Sequence, residues 1–399
     1  MQTAKYEVTH EWLKKYEQAA ADTYAENAYR FETDYIMQKC KEASLEDSHV
    51  AEIKNFCDYL ETDEELKKYL WLFYYMQFES GERIIELWGY GLCTVHMPEE
   101  IEKKYPGMCC AVVYIIAIDH LRKAFEGFGY DDERIEAGMQ NYYSSYKRFA
   151  SLNMMSYNTH GFIRLWPFVY AYAKPIIIRL GRLAFEVANF KNTIIVYKNA
   201  EGKEIIAALP LFKYDKTGHY NQEEGDYYPV YLNENGILKY NTFDDAGILD
   251  RTVRELDLNE YTLELQPGDK VLTAHIPGNE KMTADKIDES LAMAKKAINE
   301  EFKEYGVKRI VCSSWIMDSQ LREVFTGKHS NILDFQDRFM LTMTDDDTWH
   351  TLREHIFRVK QDIATEDLVP ENDFQRKMLD RVKAGKKLYI GFGILKPEN

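Results

Sequence analysis

A short stretch near residue 275 carries the residues best suited to chemistry. Lys270 to Ile276 alternates Val271, Thr273 and His275 with Leu272, Ala274 and Ile276, which is the period of a strand. The segment Pro277-Gly278-Asn279-Glu280-Lys281-Met282 follows, and Thr283 is placed to cap a helix running to about Tyr305. A helix start carries unpaired N–H groups and positive partial charge, so it can hold a phosphate or pyrophosphate. Gly278 would let the backbone approach such a group closely, and Lys281 would add a charge. The plainer reading is an ordinary strand-to-helix connection. His275 lies on the strand beside this loop. An imidazole exchanges its proton near neutral pH, which suits a base acting on an amine; a histidine bound to a backbone carbonyl is the structural alternative.

Other residues carry weaker signals. Glu186 shares strand parity with Arg182 and reads as an ion pair on one strand face. Asp337 and Arg338 fall within a segment read as a strand, so they point to opposite faces and do not pair with each other. Trp315 reads as core. His350 and His355 are five residues apart and do not share a helix face as a metal pair would. The sequence has no G-x-S-x-G elbow, P-loop, H-E-x-x-H, G-x-G-x-x-G or EF-hand loop. No metal site is expected. The 29 tyrosines can line a groove or fill a core.

The elements that would position these residues fall into two groups. Residues 1–165 read as helical, with six to eight packed helices. Trp12, Tyr16, Ala19 and Thr23 keep a three-to-four spacing, as do Leu66, Leu70 and Phe73. Thr62-Asp63 and Asp131-Asp132 look like helix starts, and a well-buried helix is expected from Met108 to about Phe125. Residues 166–399 read as mixed. Strands are expected near 179–189, 193–199, 204–212, 227–233, 236–243 and 260–265. Gly202, Asn235-Gly236 and Gln266-Pro267-Gly268-Asp269 serve as turns. The 270–276 strand and its helix follow. Arg309–Trp315, Ile332–Thr342 and Lys387–Leu395 are further strands, with helices near 319–325, 350–361 and 371–384. The fold class is α+β: an all-α N-terminal domain and a mixed α/β C-terminal domain.

Composition bounds the function. The chain has 399 residues and a net charge of −16, which argues against a nucleic-acid binder and against charge-driven attachment to anionic lipid. A local basic pocket for a phosphorylated ligand is still allowed. The apolar runs Cys109–Ile118 and Leu165–Leu180 are too short or too interrupted to span a bilayer. The six cysteines form no C-x-x-C pair, and the N-terminus shows no apolar signal region, so a cytoplasmic protein is expected.

Five segments then carry a family resemblance: IIIRLGRLAFEV (176–187), LQPGDKVLTAHIPGNEKMTADKIDESLAMAK (265–295), IVCSSWIMDSQLREVF (310–325), NILDFQDRF (331–339) and KLYIGFGIL (387–395). In this order they resemble the two-domain acyltransferase-like family, with a helical N-acyltransferase N-terminal domain and a GNAT-like C-terminal domain. The resemblance implies an acyl-CoA cosubstrate bound where two neighbouring strands splay. It places the pyrophosphate at the 277–282 loop, with Ile276, Gly278, Asn279, Glu280 and Lys281 as cofactor-binding residues. The loop departs from the wider GNAT pattern in having one glycine and an acid, and Glu280 must point away or meet Lys281. Many GNAT enzymes carry a Tyr in the helix after the fifth strand to protonate the leaving thiolate; here Phe325 stands nearest. Ser313, Ser314 or a water would substitute. The activity implied is transfer of an acyl group to an amine of a small molecule or peptide, with His275 and Ser313 as catalytic residues. The alternatives are a non-catalytic protein binding acyl-CoA or another ligand on a GNAT-like frame, and a structural or carbohydrate-recognition protein.

Overall fold

The computed structural model describes residue 6 and residues 11–81, 97–163, 166–277, 280–300, 302–327, 329–359 and 362–397. The chain divides into two compact units, Met1–Ile178 and Arg179–Asn399. The expected boundary at 165/166 falls just before the Trp166–Ala173 helix, which packs on the Asp132–Tyr157 helix of the first unit.

The described elements of the first unit as far as Ala173 are all helices. Its described residues hold ten α-helical segments, more than the six to eight expected, because several runs break. The Met108–Phe125 run, for example, is two helices, Met108–Ile116 and Ile118–Gly127, meeting at Ala117. Asp63 and Asp131 cap their helices by accepting from Leu66 N and Arg134 N. The abundant aromatics fill the core, and several of their polar ends find partners there. Tyr142 and Tyr146 donate to the Tyr114 and Ala111 carbonyls, Tyr114 donates to Gln77 Oε1, and Trp71 Nε1 donates to the Ala20 carbonyl. Gly161 is required where the chain crosses Pro106-Gly107, since a Cβ there would lie 2.1 Å from the Pro106 carbonyl oxygen. No helix among the described residues is long and apolar enough to cross a membrane.

The second unit is built on strands, numbered in chain order: β1 (Ile177–Leu180), β2 (Leu183–Asn189), β3 (Ile194–Asn199), β4 (Glu204–Ala208), β5 (Tyr231–Glu234), β6 (Ile237–Phe243), β7 (Leu249–Asp257), β8 (Tyr261–Leu265), β9 (Lys270–His275), β10 (Arg309–Ser314), β11 (Phe339–Asp346) and β12 (Tyr389–Leu395). The main sheet has the order β1-β2-β9-β10-β12-β11. Only the β9–β10 pair is parallel among the registers that surround the site. Strands β3–β8 form an insertion between β2 and β9, as two three-stranded sheets, β4-β3-β8 and β5-β6-β7. Ile195, Tyr197, Leu238, Tyr240 and Leu256 pack these two sheets together. Phe190, Ile194, Val196, Ile206 and Leu265 cover Val271, Val311 and Ile394 of the main sheet.

Three expectations are corrected. β1 and β2 are separate strands, because Gly181-Arg182 turns the chain between them. β7 is not among the expected strands: five of its nine residues are charged, which leaves few apolar residues to reveal it. The segment read as a strand from Ile332 starts as the helix Asn331–Gln336, capped by Ser330, and the strand begins only at Phe339. Asp337 and Arg338 therefore sit in a turn. Asp337 binds Arg322, and Arg338 binds Asp288.

Past β10 the chain makes a 3₁₀ turn, Trp315–Met317, against β12. A Cβ on Gly391 would lie 2.2 Å from the Met317 carbonyl oxygen, so only glycine admits this turn. Asp318 fastens it. Its carboxylate accepts from Tyr389 N (3.0 Å) and Gln320 N (2.9 Å). Burial pushes the Asp318 carboxyl up to about 6, against the opposing effect of those two hydrogen bonds. An unfolded aspartate titrates at about 4. Between those values the folded chain holds one proton more than the unfolded chain, so stability falls as pH rises through that window. Urea unfolding at about pH 4.5 and 6.5 should show a smaller fall for Asp318→Asn than for the native chain; equal falls would contradict this account.

Candidate active site

The site begins where a ladder stops. β9 pairs with β2 along its whole length, from Lys270 opposite Asn189 to His275 opposite Ala184. Its other edge pairs with β10 only from Arg309–Val271 to Val311–Thr273. β10 meanwhile pairs with β12 from Val311 to Ser314. Beyond Thr273 and Val311 the two parallel strands therefore part, each held by its outer neighbour. Ser313 lies on an interior strand and is nevertheless exposed.

The registers put Glu186, Val271, Thr273, His275, Val311, Ser313 and Phe392 on one face of the sheet. A cleft of about 290 Å³ opens on this face, with Thr273 and Ser313 in its lining. Its apolar walls are Val271, Val311, Phe392, Phe190 and Phe212. Its polar part comes from Asn189, Lys191, Asn192 and Thr193 in the β2–β3 connection.

His275 and Glu186 are diagonal neighbours across β9 and β2. Glu186 stands opposite Thr273, one step from Ala184 opposite His275, and its Oε2 lies 3.0 Å from His275 Nε2. An ionised carboxylate only accepts, so the neutral imidazole carries its proton on Nε2 and keeps a lone pair on Nδ1. Both side chains are about one-third exposed, so solvent or a substrate reaches the pair. The parity argument that joined Glu186 to Arg182 fails because Arg182 lies in the β1–β2 turn, outside the strand.

Arg182 instead clamps the loop after β9. Its Nη2 donates to the Glu280 carbonyl (2.8 Å) and its Nε to the Lys281 carbonyl (3.3 Å). The residue is buried, and its Nη1 is a buried donor with no partner among the described residues. Burial lowers the guanidinium pKa, nearby Arg179 adds to this, and Glu280 opposes it. Glu280 meets Arg179 at 2.6 Å and approaches Lys286 at 3.9 Å, rather than Lys281. Lys281 is exposed. Ile276 and Pro277 lead into the loop half-buried, while Gly278 and Asn279 lie outside the described residues. Thr283 is the N-cap of the Ala284–Asn299 helix but makes no side-chain cap bond. Behind the sheet, Ser290 of this helix accepts from Leu183 N and donates to the Leu180 carbonyl, which ties the helix to the β1–β2 hairpin.

The remaining candidates serve structure. Ser314 caps the Trp315–Met317 turn by accepting from Ile316 N. Trp315 stacks on His355 and meets Phe374, and Phe325 also stacks on Phe374. His350 binds Asp347. Among the described residues, no group of three His, Cys, Asp or Glu side chains could hold a metal ion. Sequence reasoning missed Arg179 and Arg182 as loop anchors. Two arginines flanking Leu180-Gly181 between apolar runs were the available signal.

A six-stranded sheet parting between two parallel strands, with a loop and helix beyond the first of them, defines a GNAT-like frame. Residues 177–395 match the family model described as the GNAT-like C-terminal domain, and the chain belongs to that family. It has the two-domain organisation of a helical N-terminal region followed by this domain. Three solved structures share the fold. A mutant acyltransferase in complex with octanoyl-CoA is 16% identical, with a TM-score of 0.61 over 92% of this chain and 88% of that one. An acyltransferase in complex with decanoyl-CoA and teicoplanin is 16% identical, with a TM-score of 0.59 over 91% of this chain and 88% of that one. A complex with CoA and 10C-teicoplanin is 16% identical, with a TM-score of 0.58 over 91% and 87%. No curated protein matches the chain.

The Glu186–His275 contact fixes a tautomer, and nitrogen-15 NMR of the imidazole reads it directly. The neutral ring of His275 should be protonated at Nε2, and Glu186→Ala should release it to a mixture. An Nδ1-protonated ring in the native chain would contradict the geometry.

Proposed function

We propose that this chain is an acyl-CoA-dependent N-acyltransferase that moves an acyl group to an amine of a small molecule or peptide. The observation that carries the reading is the parting of β9 from β10 beside a carboxylate-bound imidazole. The residues present fit CoA. The parted strand edges leave backbone donors and acceptors for an extended, amide-bearing ligand. Beyond β9, the buried unpaired Nη1 of Arg182 stands beneath a loop whose acid is already engaged by Arg179. Lys281 and Lys286 add positive charge there. The pyrophosphate-binding residues would be the backbone of Ile276 and of Gly278 to Lys281. The fold neighbours solved with octanoyl-CoA, decanoyl-CoA and CoA support this cosubstrate, and the teicoplanin complexes support a small-molecule or peptide acceptor. The buried free thiols Cys40, Cys57, Cys109, Cys110 and Cys312 suit a reducing compartment, and we assign the protein to the cytoplasm.

Bound acyl-CoA supplies an acyl group activated as a thioester. His275 Nδ1 receives the proton of the acceptor amine, and Glu186 steadies the resulting imidazolium. The amine nitrogen bonds to the acyl carbon as the C–S bond breaks; Ser313 Oγ, exposed where the strands part, donates a hydrogen bond to the leaving thiolate, and the imidazolium proton passes to sulfur through solvent. Phe325, which stands nearest to the Tyr that many GNAT enzymes carry, has no proton to give. That difference favours one second reading, a protein that binds acyl-CoA without turning it over.

Thermal unfolding with CoA at about a hundred times a micromolar dissociation constant should show stabilisation of roughly 2.7 kcal/mol and a rise of a few degrees. Arg182→Met should reduce that rise. Across a panel of amines, His275→Ala should keep the CoA-induced rise and lose transfer by about 10²–10⁴-fold. Absence of any rise with CoA would overturn the reading. Binding without turnover in the native chain would establish the second one.

A further inference from the structure

We infer that Phe212, supplied by the inserted β3–β8 segment, gauges the length of the acyl chain; the inference rests on the acyl-CoA reading above. β9 runs from Lys270 toward His275 and the 277–283 loop. The phosphate end of the ligand therefore lies beyond His275. The cleft lies the other way: its lining includes Thr273 and Ser313 at the parting of the strands, then Val271 and Val311 farther back along the same face. An acyl chain attached at the gap has this cleft ahead of it and the loop behind it. No carboxylate among the described residues lines it, Lys191, Asn189 and Asn192 edge it, and its volume of about 290 Å³ holds on the order of ten heavy atoms at a water-like 30 Å³ each.

Three aromatic rings line the cleft, and they differ in what holds them. Phe190 and Phe392 are buried and pack on each other at 5.7 Å within the core. Phe212 is only half-buried and belongs to the loop after β4. That loop is tied to the cleft by Leu209 N donating to the Thr193 carbonyl. The ring is braced edge-on by Tyr220 at 5.1 Å. Phe212 can therefore change size without removing a core contact of the main sheet. A braced ring on the apolar wall of the cleft, on a loop anchored to Thr193 at the end away from the gap, limits the chain that fits: a shorter chain leaves space beside it, and a longer one must bend or stay in water.

Titration calorimetry with a series from acetyl-CoA to palmitoyl-CoA, beside CoA itself, tests this without knowledge of the acceptor. The native chain should gain up to about fourfold in affinity per added carbon until the cleft is full, near eight to ten carbons, and gain nothing beyond. Phe212→Ala should move that limit about two carbons longer, and Phe212→Trp should move it shorter. CoA itself should bind all three proteins alike. An unchanged limit in both variants, with CoA still bound, would overturn the gauge and leave the acyl-CoA reading intact. No CoA binding by the native chain would overturn the reading on which it rests. Should the alanine variant fail to fold, the tryptophan variant alone decides by the same shift.

Discussion

Two parallel strands in the middle of a sheet cannot part without cost. Their facing N–H and C=O groups lose ladder partners, and a buried backbone group without a partner is expensive. In this chain β9 and β10 part after Thr273 and Val311, and much of the second unit can be read as what keeps them apart. β2 holds β9 to its last residue, and β12 holds β10 to Ser314. The Trp315–Met317 turn presses on Gly391 and is fastened by Asp318. The gap is thus kept open by its outer neighbours, and it exposes Ser313 and brings His275 to the same face.

Charge is arranged locally against the trend of the whole. The net charge is −16, yet Arg179, Arg182, Lys281 and Lys286 gather around the loop after β9. Glu280 would oppose an anion if it were free. Arg179 engages its carboxylate, while Arg182 holds its carbonyl. The acid becomes part of the anchoring of the loop, and the cations left over face outward. Burial of Arg182 with one donor unmatched stores a demand for an acceptor at the same place.

The sequence made the local part of this legible. The strand Lys270–His275, the loop and the Ala284–Asn299 helix follow from alternation, from Pro277-Gly278 and from the apolar face of Ile287, Leu291 and Ala294. The pairing of Glu186 with His275 was not legible, because it depends on the register of two strands separated by the whole inserted segment. Arg182 was misassigned by extending strand parity through what is a turn. The Asn331–Gln336 helix was misread because its short apolar run fits either period, and tertiary packing decided between them. The cleft combines side chains from β9, β10, β12 and the insertion, so no single stretch of sequence announces it.

Hydrogen exchange in the presence and absence of CoA tests the central claim most directly. If the parted strands and their loop are the ligand site, CoA should slow exchange in the end of β9, in the 277–286 segment and in Ser313–Trp315, and leave β5–β7 unchanged. Protection confined to other segments, or none at CoA concentrations that saturate an acyl-CoA enzyme, would contradict it.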